Sequence, residues 1–432
     1  MSSKNGLRKV VLIDGGRTPF LRSSTDYKNL MSYDLARMAI KSLLTKTNVD
    51  REKVDWVIMG TVVSNFTTSN VARDAALAAG IPETVPASTV SLACISSNKA
   101  ITDAIDLIQC GHADIVVAGG VENLSDIPIR YRKRFRQKLI ESQRYRKPLD
   151  YLKFLKGLKF SDLLPEIPSI AEFSTQRTMG QDCDRMAARI GVTREEQDEF
   201  AAYSHLSAAK AAEDGHLGAE IFPVAVPPKF GVIQKDNGVR GDTTIEKLAS
   251  LKPAFIKPYG TLTAGNSSYL TDGASAVLIM AEDVAKSLGY TPKARFKSYA
   301  YSAQDPGEEL LLGPAYATPK ALDRSGLSLK DIDVFEFHEA FAAQVVANLK
   351  CLDSETFAKD KLGRSQKVGE VPRNKLNNWG GSLSIGHPFG ATGARLVNTA
   401  ANRLIKENGE LALIASCAAG AVGNAMVLER VK

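Results

Sequence analysis

Four residues of this 432-residue sequence have side chains suited to acyl-transfer chemistry and fall at loops or strand–helix junctions: Cys94, His338, His387 and Cys417. A thiol attacks a carbonyl carbon once a base takes its proton, and an imidazole can be that base. A second thiol can deliver or remove a proton at a carbon or sulfur centre. Cys94 follows five residues of strand character, Thr89 to Ala93. It precedes a helical pattern with Ala100, Ile101, Ala104, Ile105 and Ile108 on one face. That places the thiol at a helix N-terminus, where unpaired N–H groups and the helix dipole favour a thiolate. Such help matters, because a free cysteine with a pKa of about 8.5 is only about 3% thiolate at pH 7.

Each of the four also has a plainer reading. Free cysteine is among the most buried residue types, so Cys94 alone reads equally as core. His338, in Phe337-His-Glu-Ala-Phe, reads as a satisfied core histidine. His387 lies in Gly386-His-Pro-Phe-Gly, a turn bounded by Gly and Pro that presents a side chain rather than burying it. Cys417 precedes Ala-Ala-Gly-Ala-Val-Gly, where small residues let a ligand approach the backbone. The conjunction is what carries the chemical reading. His387 can serve Cys94 as base, Cys417 can manage a second proton, and backbone N–H groups near both cysteines can hold an oxyanion.

The elements that must position these residues form a repeating pattern. Val10–Ile13 is a short apolar strand, Asp34–Leu44 has helical spacing, Val54–Met59 is a strand, and Val71–Ala79 is an Ala-rich helix. The Cys94 unit follows, then a buried strand, Ile115–Ala118, closing on Gly119-Gly120. Strands alternating with helices predict an α/β fold with a largely parallel sheet. After Pro292 the order recurs: a strand at Ala294–Ala300, a strand at Asp331–Phe337 leading into a helix at Glu339–Leu349, and a helix at Gly393–Lys406. Leu411–Leu428 reads as two buried strands around a turn rather than a membrane span. Cys94 to Ala118 spans 24 residues and His387 to Ile414 spans 27. The two stretches read as halves of one duplicated unit, in which His387 occupies the counterpart of the Cys94 turn and faces it across a pseudo-twofold axis.

The expected organisation is therefore an N-terminal half (1–121 and 251–290), an inserted loop domain (122–250) and a C-terminal half (291–432). Within the insertion, Thr193 with Glu196 three residues later predicts a capped helix through Ala211. Prolines and glycines from Pro223 to Gly241 predict loops.

Composition narrows the function classes. With 44% hydrophobic and 24% charged residues, the chain reads as an ordinary soluble globular protein. Five cysteines with no CxxC pair argue against a disulfide framework or structural zinc and suit a reducing compartment. Five histidines form no i, i+4 pair, so no metal site is expected. Met1–Gly6 leads into only four apolar residues, which predicts neither signal peptide nor transit sequence and so a cytoplasmic protein. The net charge of +7 is concentrated: between Arg130 and Lys159 there are twelve Lys or Arg and two acids, interleaved with Leu139, Ile140, Leu152, Phe154, Leu155 and Leu158. Such a basic amphipathic stretch can lie on an anionic membrane surface, dock on a partner, or simply cover a site mouth. No nucleic-acid motif accompanies the charge, and no nucleic-acid binding is expected.

Along nearly its whole length the sequence resembles the thiolase family. The resemblance is carried by Ser91-Leu-Ala-Cys-Ile-Ser-Ser-Asn-Lys-Ala, Thr263-Ala-Gly-Asn-Ser-Ser with Asp272-Gly-Ala, His338-Glu-Ala-Phe, Gly386-His-Pro-Phe-Gly-Ala-Thr-Gly-Ala-Arg and Cys417-Ala-Ala-Gly. It implies a duplicated thiolase fold with a layered αβαβα core and thiolytic cleavage of 3-ketoacyl-CoA through an acyl-Cys94 intermediate, with CoA as substrate and no cofactor or metal. It also implies that His387 activates Cys94, that Cys417 moves the second proton, and that His338 lines the pocket for the thioester oxygen. Ser268 matches a CoA-contacting serine, Met179 a methionine of the acyl pocket, and Ala419 supplies an oxyanion N–H. Two features narrow the resemblance. His338 stands where most thiolases have Asn, and the insertion is long and basic; both resemble the β-subunit of the fatty-acid oxidation trifunctional complex. That implies a homodimer and a complex with an enoyl-CoA hydratase/3-hydroxyacyl-CoA dehydrogenase subunit. Thr178, where several short-chain thiolases carry histidine, argues against acetoacetyl-CoA specificity, the leading alternative. A non-catalytic scaffold is disfavoured because all four reactive side chains are retained.

Overall fold

The computed structural model describes residues 7–166 and 171–432; the Met1–Gly6 segment read above lies outside them. In the first half, β1 (Val10–Arg17) leads to α1 (Ser32–Thr47), β2 (Trp56–Gly60), α2 (Val71–Ala78), β3 (Ala87–Val90), α3 (Ser96–Gln109) and β4 (Ile115–Glu122). The intervening segment carries α4 (Lys133–Ser142), α5 (Asp150–Leu155), α6 (Met179–Ile190) and α7 (Arg194–Glu213). Then come β5 (Thr271–Ala281), β6 (Ala294–Ala303), α8 (Gly313–Ser325), β7 (Val334–Phe337), α9 (Ala342–Leu352), α10 (Thr392–Lys406), β8 (Leu411–Ala418) and β9 (Val422–Arg430).

These strands form one sheet in the order β7-β8-β9-β6-β1-β5-β4-β2-β3, with the short strand Leu21–Arg22 added beside β5. The order is nearly palindromic. β2, β4, β5 and β1 correspond to β7, β8, β9 and β6, and the halves join through only two residue pairs, Val11↔Arg295 and Leu12↔Ala294. Even β3 has a vestigial counterpart, since Leu376 bridges Phe335 of β7 in parallel.

The expected largely parallel sheet is mixed instead. Only β2–β3, β2–β4 and β7–β8 are parallel. These are strands linked by helical crossovers, whereas β1, β5, β6 and β9 at the centre return by hairpins or long excursions and pair antiparallel.

Strand alternation produces five layers. Val116 and Ala118 of β4 face a central core shared with α3 and α10, while Ile115 and Val117 face α1 and α2. On the other half Ala412 and Ile414 of β8 face that same central core, and Leu413 and Ala415 face α8 and α9. The layering is therefore αβαβα. Both faces of β4, β5 and β8 are buried, which is why their sequences are largely apolar, whereas β6 alternates and exposes Lys297. Each buried Leu, Ile or Val contributes about 1.5–3 kcal/mol.

The two central helices meet at their N-termini. The Ala394 N–H donates to Ser97 Oγ at 3.0 Å, and a Cβ on Gly393 would lie 2.0 Å from Asn98 Oδ1. Glycine is required there for the helices to approach.

Several boundaries differ from the sequence reading. The strand before Cys94 ends at Val90, so Leu92–Cys94 form a turn rather than strand. β4 runs straight through Gly119-Gly120 to Glu122, because β5 and β2 pair with it on both sides. The helix expected from Glu339 starts at Ala342; His338–Phe341 instead form a loop bridged to Ser267. The Pro223–Gly241 stretch holds a small hairpin, Val224–Val226 with Gly231–Ile233. Thr193 caps α7 with the expected box, its Oγ1 accepting from the Glu196 N–H. The 122–250 segment divides in two. α6 and α7 contribute Cys183, Met186 and Phe200 to the core of the C-terminal half, whereas α4 and α5 bury no residue.

Candidate active site

Cys94 sits on a sharp turn between β3 and α3. Ala93 adopts φ +45°, a conformation that costs an L-residue roughly 1–3 kcal/mol. Ser96 offsets that strain, its Oγ accepting from the Leu92 N–H at 2.8 Å and donating to the Ala93 carbonyl at 2.7 Å. The turn projects the sulfur toward the facing half.

There it meets two imidazoles. One donor atom of each of Cys94, His338 and His387 lies within 4.8 Å of the others, a spacing open to proton transfer and equally to a metal ion. The two rings have centroids 4.1 Å apart. His387 is anchored through its backbone, its N–H donating to Thr271 Oγ1 at 3.0 Å, and through its ring, with Nδ1 2.7 Å from Thr392 Oγ1. The Thr392 hydroxyl spends its only proton on the Pro388 carbonyl at 3.0 Å. It must therefore accept from His387 Nδ1–H, which assigns the lone pair to Nε2, a nitrogen with no protein partner. That is the tautomer a base needs.

Cys417 closes the site from the end of β8, just before the β8–β9 turn, and is only 1% exposed. Past it, Gly420 and Ala421 both adopt positive φ, and the Gly420 N–H donates to Glu172 at 2.7 Å. The turn aims the Ala419 N–H at the Cys94 sulfur. A cavity of about 590 Å³ joins these groups, and Cys94, His387, Cys417, Met179, Ser268 and Ala419 all line it. His338 stands immediately behind, against His387. All seven residues singled out from the sequence thus converge, although they come from both halves and the intervening segment.

The electrostatics overturn one expectation. Burial pushes the Cys94 thiol up to about 12, with the nearby Glu122 carboxylate adding to the rise; the N–H groups of Ala419 and of Cys94 itself oppose it. Cys94 is two residues short of the first helical residue, and the dipole does not make a resting thiolate. Burial also lowers His387 to about 3, helped by the Arg395 charge, so its imidazole is neutral at pH 7. Cys417 lies well above its ordinary range through burial and its proximity to Cys94. The resting site is two protonated thiols beside a neutral base.

Sequence reasoning missed the supporting groups. Thr392 lies one residue before the helix expected from Gly393 and carried no role there, and Ser382, whose Oγ lies 3.1 Å from His338 Nδ1, is 44 residues away from that histidine. Glu122 is wholly buried and receives four donors: the N–H groups of Val62, Val63 and Gly390 and the Thr61 hydroxyl. It ties the His387 turn to the first half. Burial pushes its carboxyl up to about 7. A carboxylate with four donors and no acceptor nevertheless implies a site built for the anion.

Comparison with known proteins gives this geometry a family. Residues 10–283 match the model described as thiolase, N-terminal domain, and residues 290–430 match thiolase, C-terminal domain. The chain belongs to the thiolase family. Among curated thiolase relatives, the trifunctional enzyme subunit beta, mitochondrial, of Bos taurus is 54% identical over 427 residues, covering 99% of this chain and 89% of that protein. A probable 3-ketoacyl-CoA thiolase of Caenorhabditis elegans is 52% identical, covering 99% and 95%. Among solved structures, human mitochondrial 3-ketoacyl-CoA thiolase superposes with a TM-score of 0.85 at 32% identity, covering 99% and 100%. The Bacillus anthracis acetyl-CoA acetyltransferase gives the same score at 33% identity, with the same coverage.

Proposed function

We propose that this thiolase cleaves 3-ketoacyl-CoA with CoA to acetyl-CoA and an acyl-CoA two carbons shorter, as in fatty-acid β-oxidation. The observation that carries the reading is the meeting of Cys94, His387 and Cys417 at the end of one apolar cavity. His387 Nε2 takes the Cys94 proton as the sulfur attacks the 3-keto carbon, because a thiol raised to about 12 ionises only in concert with attack. The C2–C3 bond breaks, Cys417 protonates the acetyl-CoA enolate at C2, and the acyl group remains on Cys94. Incoming CoA then gives its thiol proton to the Cys417 thiolate and attacks the acyl-Cys94 carbonyl; the departing Cys94 sulfur recovers its proton from His387. The N–H groups of Cys94 and Ala419 serve one oxyanion, and His338 lies where it can serve another. No cofactor enters this scheme.

The cavity favours long acyl chains over acetoacetyl-CoA, since Met179, Phe255, Leu270, Leu311, Phe341 and Phe389 line it. Thr178 spends its hydroxyl capping α6, with the Gln181 N–H donating to it at 3.3 Å. A smaller basic cavity, about 310 Å³ with Arg22, Arg240 and Lys247, shares Tyr269 with the catalytic one and suits the phosphates of CoA. The test is mass spectrometry of protein given 3-ketoacyl-CoAs of graded length without free CoA. An acyl adduct on Cys94 that favours long chains supports the reading, and a preference for the C4 substrate favours acetoacetyl-CoA condensation.

For partners we propose a homodimer, a complex with a hydratase/dehydrogenase subunit, and contact with an anionic membrane through α4 and α5. Strand β3 ends the sheet with an open edge, which a second copy can extend; a solution mass of one chain would overturn the dimer. Ile140, Leu149, Leu152 and Leu155 are exposed among the basic residues of α4 and α5. Among the described residues no helix is long and apolar enough to cross a membrane. Five free cysteines suit a reducing compartment, and we propose the cytoplasm; fractionation into another compartment would overturn that.

A further inference from the structure

His338 and His387 are neighbours, yet their ring nitrogens meet different chemistry. Thr392, as shown above, forces His387 to keep its proton on Nδ1. The partner of His338 Nδ1 is Ser382 Oγ at 3.1 Å, and Ser382 is itself contacted at 3.2 Å by Nη2 of Arg395. A guanidinium can only donate. The Ser382 oxygen therefore accepts from Arg395, and its own single proton is directed at His338 Nδ1. The His338 proton then resides on Nε2, which has no protein partner.

Arg395 pairs electrostatically with the buried Glu336, but its hydrogen bonding goes to Ser382. Its side chain is wholly buried, and Glu336, at 3.6 Å from Nη1, is beyond hydrogen-bond reach. Glu336 is instead bonded by Arg403 at 2.7 Å. The Nε and Nη1 atoms of Arg395 have no hydrogen-bond partner, so Ser382 is the one acceptor the guanidinium meets among the described residues. A buried cation that donates to a serine polarises its hydroxyl toward the next acceptor.

We propose that Ser382 and Arg395 are positioning residues that hold His338 as an Nε2–H donor, so that the paired histidines act as a base and as an oxyanion donor rather than as two bases. The inference deepens the thiolysis reading and rests on it for the identity of the carbonyl oxygen. Loss of the Ser382 hydroxyl leaves Nδ1 free to carry the proton, which turns a lone pair on Nε2 toward the developing negative charge.

Two measurements on the full-length protein test the proposal. In the first, Ser382→Ala is made alone and in a His338→Asn background, and single-turnover acylation of Cys94 is followed with kcat and KM. Ser382→Ala alone is expected to lower kcat about 10–100-fold, the usual scale for losing the partner that orients a working histidine, with little change in KM. In the His338→Asn background it is expected to cost nothing more. Equal losses in both backgrounds would mean that Ser382 is merely structural and would overturn the proposal. In the second, ring 15N spectra of the histidine-labelled protein report tautomers without reference to activity, with His338→Asn and His387→Asn giving the assignments. The expected pattern is Nε2–H for His338 and Nδ1–H for His387; Nδ1–H on both rings would overturn the proposal. Should the spectra show the expected pattern in a protein without thiolysis activity, the positioning stands and the thiolysis reading fails.

Discussion

The imidazoles of His338 and His387 lie 4.1 Å apart, and each ring's Nδ1 meets a hydroxyl group of opposite polarity. Thr392 is an acceptor because its proton goes to a carbonyl, and Ser382 is a donor because a guanidinium already occupies its oxygen. Two identical side chains are thereby assigned different jobs by groups that never touch substrate. Burial holds both rings neutral, His387 at about 3 and His338 well below the ordinary histidine range, so neither acts as a cation in the resting site.

The division of labour between the thiols predicts distinct losses. Cys94→Ala removes the nucleophile, and no acyl adduct should form on incubation with a 3-ketoacyl-CoA. Cys417→Ala keeps the nucleophile but loses the proton donor, and acylation should slow by about 10²–10⁴-fold, the range for losing general acid–base catalysis. Intact-mass kinetics of both variants check this; unchanged acylation by Cys94→Ala would sink the mechanism.

The raised Cys94 thiol predicts a particular pH dependence. Its pKa is displaced upward, to about 12, so the protonated form dominates below that value and the thiolate fraction rises about tenfold per pH unit across the neutral range. Alkylation of Cys94 by iodoacetamide, read peptide by peptide because the exposed Cys110 reacts as well, should climb continuously from pH 7 to pH 10. A plateau in that interval would indicate a stabilised thiolate and contradict the description of the resting site.

Glu122 joins the halves behind the catalytic turn, and Glu122→Gln should separate its hydrogen bonding from its size. Glu122 Oε2 accepts from both Val62 and Gly390. An amide turned to keep the Oε1 bonds puts its NH2 against those two donors. Each orphaned buried donor costs about 1–3 kcal/mol. We expect a loss of about 2 kcal/mol or more in urea unfolding, and a lower kcat because Gly390 belongs to the His387 turn. Unchanged stability would show that the carboxylate is not the tie the geometry indicates.

The basic 130–159 segment that carries α4 and α5 predicts salt-sensitive binding to anionic vesicles. Lys133, Lys147 and Lys156 are exposed. At about 1 kcal/mol for each cation near the surface, reversing all three to Glu should weaken binding by 100-fold or more at low salt. Thiolysis of a soluble substrate should be unaffected. Vesicle flotation that is indifferent to the triple change would remove membrane contact from the proposal.

Residue spacing already carried much of this. The helical face of α3, the capping box at Thr193 and the paired strands after Leu411 are local patterns, and all three appear as expected. What failed was local geometry near the site: the strand that stops at Val90, the loop at His338–Phe341 and the strand that continues through Gly119-Gly120. At the first a side chain three residues away overrides local preference, and at the other two a partner distant in sequence does. Ser96 holds the Ala93 turn, Ser267 bridges Phe341, and β5 pairs across the glycines.

By itself the sequence determined which residues could react and that they belong to a duplicated unit, because reactivity lies in side-chain type and duplication in order along the chain. Only the tertiary structure decided how they react. The sheet is mixed because chain returns, not apolar patterning, set strand direction. The Cys94 thiol stays protonated because burial outweighs the nearby helix end, and His387 differs from His338 because the hydroxyl each one meets is delivered by the fold.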